Sequence, residues 1–119
     1  MGRSDGIIIV EDEPLIVMMV EQMVQDLGYR VDGCAGSEAD ALALLQITSP
    51  VLAILDVKLG SSTSLSIAAA CSDRGIPVIF ATGLPPSEFS KFSNGVPVLN
   101  KPFSFDEFTR VLDQVLRGR

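Results

Sequence analysis

The sequence contains no histidine. Histidine general bases, histidine metal ligands and Ser-His-Asp arrangements are therefore excluded within the chain. A metal bound here would be held by oxygen, which favours Mg²⁺, Mn²⁺ or Ca²⁺ over zinc. Cysteine is scarce. Cys34 and Cys71 lack metal-type spacing, and both read as small buried hydrophobes in a reducing compartment. Basic residues are few, 9 against 15 acidic ones, for a net charge of −6. A nucleic-acid surface needs clustered Lys and Arg and is not expected. The longest apolar run, Leu15 to Val20, has six residues, far short of a membrane span. The short run Ile7 to Val10 meets Glu11-Asp12-Glu13 at once, unlike a signal peptide. Linkers, repeats and low-complexity tracts are also lacking. These absences point to a cytoplasmic protein that binds neither nucleic acid nor membrane.

What is present suits one domain over residues 1–119, with its core at about 5–117. Apolar residues make up 47% of the chain, enough for a core without staples. Two periods alternate along it. Ile7 to Val10 and Val51 to Leu55 are continuous apolar runs, as in strands buried on both faces. Arg30 to Ala35, Pro77 to Ala81 and Val96 to Leu99 are further strands, the last with a proline that suits a sheet edge. Helices are expected from Pro14 to a stop at Gly28, after Ser37 with Asp40, from Thr63 to Arg74, and after a capping box of Ser104 with Glu107. Between Pro85-Pro86 and the turn Asn94-Gly95, Ser87 to Ser93 leaves room only for a short fourth helix. The pattern predicts an α/β fold, a (βα)₅ unit whose five-stranded parallel sheet is doubly wound with helices on both faces.

Ligands on such a sheet bind beyond the carboxyl ends of the strands. Those ends carry Glu11-Asp12-Glu13, Asp56, Thr82-Gly83 and Asn100-Lys101-Pro102. Each has a plain alternative. The acidic run suits a helix N-terminus, and Asp56, Thr82 and Lys101 suit turns or loops. Together they make a different set: carboxylates that repel unless a divalent cation joins them, a hydroxyl, and an ammonium suited to a phosphoryl group. These are the parts needed for phosphoryl transfer to an aspartate.

In this order and register the residues resemble the receiver domain of two-component response regulators. The matched positions are Glu11-Asp12, Leu55-Asp56-Val57-Lys58-Leu59-Gly60, Thr82 after an apolar strand, and Lys101-Pro102-Phe103. The resemblance implies a flavodoxin-like fold with strand order 2-1-3-4-5. It implies that Asp56 is the phosphoacceptor. Asp12, Asp56 and the Lys58 carbonyl would hold Mg²⁺, and Glu11 would support it through water. Thr82 and Lys101 would contact the phosphoryl group, with a cis Lys101-Pro102 bond. Phe80-Ala81-Thr82-Gly83-Leu84 is similar to a bacterial single-domain subgroup with a Phe-Ala-Thr-Gly motif, although Pro85 stands where that motif has Tyr. Val98 departs from the pattern, since most receivers have an aromatic residue there as partner of the Thr switch. Phe89 or Phe92 as a substitute is weighed against ordinary packing, which is preferred. The segment from Pro85 to Gly95 is expected to be an unusual or partly disordered fourth helix.

The resemblance implies a partner histidine kinase or histidine phosphotransfer protein as donor. It implies a docking patch over Leu15, Val17, Met18, Pro102 and Phe103. The chain would catalyse only its own modification and would not be an ordinary enzyme. With no DNA-binding or enzymatic domain after Arg119, output is expected through contact with a downstream protein. Three alternatives stay open: an interaction module that ignores phosphorylation, a phosphate shuttle or sink, and a metal-dependent phosphohydrolase. Lys58 counts against the last, because haloacid-dehalogenase-type enzymes want a second Asp there.

Overall fold

The computed structural model describes residues 5–85, 87–88 and 95–117. The elements run β1 (Gly6–Val10), α1 (Pro14–Asp26), β2 (Arg30–Ala35), α2 (Glu38–Ile47), β3 (Leu52–Asp56), β4 (Lys58–Leu59), β5 (Ser62–Thr63), α3 (Leu65–Asp73), β6 (Val78–Thr82), β7 (Val98–Asn100) and α4 (Phe105–Arg117). Five strands form one parallel sheet in the order β2-β1-β3-β6-β7. Numbered within the sheet, that is 2-1-3-4-5, the flavodoxin-like α/β order.

The uninterrupted apolar runs of β1 and β3 follow from two cores. Ile7, Ile9, Leu52 and Ile54 pack on one face with Val20 and Val24 of α1 and Phe108 and Leu112 of α4. Ile8, Val10, Ala53 and Leu55 pack on the other with Ala41 and Leu45 of α2 and Ile67 and Cys71 of α3. Alternate residues point to opposite faces, so a strand covered on both sides must be apolar throughout. Edge strand β2 pairs only with β1 and is mostly half-buried or exposed. Its register slips between Ile7 and Ile8, bringing Gly33 opposite Ile8. A side chain at Gly33 would meet Leu44 of α2, with a Cβ only 2.6 Å from Leu44 Cδ1.

Helix ends follow local chemistry. Pro14 opens α1, and Gly28 beyond its end takes φ 89°. Ser37 caps α2 by accepting from the Asp40 N–H at 3.1 Å. The Ser104–Glu107 box closes in both directions at 3.1 Å.

Three expectations change. Cys71 is buried, but Cys34 is exposed on edge strand β2, where it lines an open groove beside α1 with its thiol toward Glu21. The third helix begins at Leu65 rather than Thr63, since Ser62 and Thr63 pair antiparallel with Leu59 and Lys58. The last strand is Val98–Asn100, with Pro97 before it. The expected fourth helix, Ser87 to Ser93 with Phe89 and Phe92, lies outside the described residues except for Ser87 and Glu88, as does Asn94 of the expected turn. No helix among the described residues is long and apolar enough to cross a membrane.

Candidate functional site

The carboxyl ends of β1, β3, β6 and β7 bring the polar residues together. Glu11 follows β1 and is 5% exposed, its N–H held by the Ala35 carbonyl at 2.9 Å. Its Oε2 accepts from the Glu13 N–H at 3.1 Å. Asp12 is exposed, and its Oδ2 accepts from the Gly60 N–H at 3.0 Å. Asp56 ends β3, is buried, and its Oδ1 accepts from the Lys58 N–H at 3.3 Å. Lys58 thus sits beside the carboxylate in β4, and Gly60 at the hairpin turn takes φ 59°. That turn carries the Gly60 amide to Asp12. Thr82 ends β6 at 1% exposure, and its Oγ1 accepts from the Leu84 N–H at 3.0 Å.

Lys101 joins the two buried carboxylates. Its Nζ donates to Glu11 Oε1 at 2.5 Å and to Asp56 Oδ2 at 3.3 Å. Its peptide to Pro102 is cis. Burial works against the Lys101 charge, but the Glu11 hydrogen bond and the Asp56 charge outweigh it and raise its pKa. Burial pushes the Asp56 carboxyl up to about 6, with Glu11 adding to the rise and Lys101 opposing it. The site therefore holds a carboxylate that is costly to ionise alone, beside a fixed cation.

Glu11, Asp12 and Asp56 each place a carboxylate oxygen within 4.8 Å of the others. An all-oxygen donor set of this charge fits a hard divalent cation such as Mg²⁺. An open depression beside them is lined by Glu13, Asp56, Lys58, Thr82, Gly83, Leu84 and Lys101. Sequence reasoning named Glu13 at a strand end and Leu84 in a motif but gave neither a place in the site. It likewise left without a role Asn100, whose amide reaches the Thr82 and Leu84 carbonyls. A polar residue directly before Lys101 was the available signal.

Leu15 and Met18, 79% and 63% exposed, open α1 beside this site, with Val17 half-buried. Val17 and Met18 line a groove with Asp12, Pro14, Cys34 and Gly36. Pro102 is exposed. Phe103 is not available at that surface: it is buried, its ring stacked on Phe108 at 6.0 Å.

A model of the response regulator receiver domain matches residues 7–113. The solution structure of SdrG from Sphingomonas melonis Fr1 aligns at TM-score 0.84 and 41% identity, covering 98% of this chain and 99% of that one. The receiver domain of the Erythrobacter litoralis PhyR response regulator aligns at TM-score 0.86 and 28% identity, covering 96% and 91%. The phyllosphere-induced regulator PhyR of Methylorubrum extorquens is 33% identical over 115 residues, which are 92% of this chain and 43% of that protein. The transcriptional regulatory protein PdtaR of Mycobacterium tuberculosis is 27% identical over 111 residues, 90% of this chain and 54% of that protein. The chain spans about half the length of these curated relatives. Fold, register of the site and a match over most of the length agree: the chain belongs to the response regulator receiver domain family of two-component signalling.

Proposed function

We propose that the protein accepts a phosphoryl group on Asp56 from the phosphohistidine of a partner and signals by protein contact. The observation that carries this reading is the Lys101 ammonium seated between Glu11 and Asp56, beside the Thr82 hydroxyl. Glu11, Asp12, Asp56 and the Lys58 carbonyl would hold Mg²⁺. When bound, the ion neutralises charge on the transferring group. The Asp56 carboxylate attacks phosphorus in line. A P–O bond forms, the P–N bond to the partner's histidine breaks, and that imidazole keeps the electron pair and takes a proton. Lys101 exchanges part of its contact with Asp56 for a phosphoryl oxygen, and the Thr82 hydroxyl donates to another. Water later attacks phosphorus, releasing phosphate and restoring the carboxylate. The protein turns over no other substrate.

The donor is a histidine kinase or a histidine phosphotransfer protein. Its docking patch is Leu15, Val17 and Met18 with Pro102, apolar and adjacent to the acceptor. The downstream target is another protein.

The test is intact mass spectrometry after incubation with acetyl phosphate and Mg²⁺. One phosphoryl group is expected on the wild type, and none on Asp56→Asn or without metal. Labelling of Asp56→Asn at unchanged stoichiometry would remove Asp56 from its role. Val98 supports a second reading, an interaction module independent of phosphorylation, because it lacks the ring that usually partners the Thr. An unlabelled wild type would favour that module.

A further inference from the structure

Val98 is half-buried and packs against the α2–α3 side of the sheet. An aliphatic side chain there offers no polar handle to the loop after β6. Two residues on, Asn100 does. Its Nδ2 donates to the Thr82 carbonyl at 3.1 Å and to the Leu84 carbonyl at 3.0 Å. Both acceptors are carbonyls, so only the NH₂ end of the amide can face them. The Thr82 carbonyl also accepts the Lys101 N–H at 2.7 Å. The Leu84 N–H, in turn, donates to Thr82 Oγ1 at 3.0 Å.

These bonds form one circuit. β7 grips the loop at Thr82 and again at Leu84. That grip fixes where the Leu84 N–H stands, and the Leu84 N–H fixes the Thr82 hydroxyl. The hydroxyl accepts from Leu84, so its own proton is free to point into the depression it shares with Asp56 and Lys101.

We infer that Asn100 is a positioning residue that clasps the exit of β6 to β7, so that Thr82 and Lys101 are held as one unit over the acceptor. The clasp supplies from the last residue of β7 the coupling that Val98 cannot supply from its first. It rests on the phosphoacceptor reading for its function, though not for its geometry. Leu84 leads into Pro85, so a shift of Thr82 toward a phosphoryl oxygen must be transmitted through, or resisted by, these two carbonyls.

The test uses Asn100→Leu, a near isostere without donors, and Asn100→Ala. Both are neutral, and the side chain is exposed, so neither alters site charge or core packing. Acetyl phosphate labelling of each is expected to slow about five- to tenfold, the effect of two hydrogen bonds, one part-buried and one exposed. The Leu84 and Lys101 amide NMR signals should move while those of β1 and β3 stay. A double mutant with Thr82→Ala should lose less than the product of the two single losses, because Asn100 acts in part through the Thr82 hydroxyl. Labelling at the wild-type rate, or losses that multiply, would overturn the clasp and leave the phosphoacceptor reading standing. An unlabelled wild type would remove that reading, and the clasp's role with it.

Discussion

At the residue scale the site turns on one buried carboxylate. Burial holds the Asp56 carboxyl up at about 6, and a metal must displace that proton to bind. Mg²⁺ affinity should therefore be level above about pH 7 and fall roughly tenfold per unit below about pH 6. Calorimetric titrations across that range check it, and an unchanged affinity near pH 5 would mean Asp56 stays ionised. Without metal, the folded value lies above the ordinary 3.8. Asp56 therefore favours the folded state below that ordinary value, and this contribution is lost as pH rises through about 6. Lys101 is raised above 10.5, so its contribution persists across this window and fades only in alkali. Asp56 and Thr82 were legible in the sequence because each ends an apolar run with a chemistry a core does not need, and Lys101 because it stands just past another such run. Asn100 and Gly60 were not, because their roles lie in backbone groups brought close by folding: the Thr82 and Leu84 carbonyls for one, and an N–H aimed at Asp12 for the other.

At the element scale, legibility tracks how local the cause is. The Ser104–Glu107 box and the Pro14 start depend on neighbours in sequence, and both form as read. The β4–β5 hairpin escaped because Ser61 to Ser64 is a polar run in which any residue suits a helix cap. Pairing of Lys58 with Thr63 and the positive φ of Gly60 decided where α3 could begin. The end of α2 is the clearest long-range case. It has no basic residue in its last turn. Arg74, just past α3, supplies one, donating to the Leu45 carbonyl and to the Thr48 carbonyl at 2.7 Å. This caps α2 from a neighbouring helix and ties the two together on one face of the sheet. Arg74→Ala should lower stability by about 1 kcal/mol. Urea unfolding checks the value, and α2 amides should lose hydrogen-exchange protection before those of α1. Unchanged protection in α2 would show that the cap carries no weight.

At the scale of the whole molecule, the carboxylate site and the proposed docking patch lie at the same end of the sheet. Asp56, the proposed acceptor, is buried and held beside Lys101, so on the proposed function a donor histidine has to be brought over it. Leu15 and Met18 stand exposed on the first turns of α1, and Met18 shares a groove with Glu11 and Asp12. A chain of net charge −6 gains solubility from its surface charge, which makes two large, largely exposed apolar side chains beside the acceptor the feature to explain. Val17→Glu with Met18→Glu places two charges on that patch without touching the metal-binding or phosphoryl-binding groups. Transfer from an autophosphorylated cognate kinase should slow at least about tenfold, as for truncated interface anchors. Labelling by acetyl phosphate, which needs no docking surface, should stay within about twofold of wild type. The ratio of the two rates is the readout. An equal fall in both would mean that the substitutions disturb α1 and, through Val20 and Val24, the core beneath it. In that case the patch would be part of the fold, not a seat for a partner.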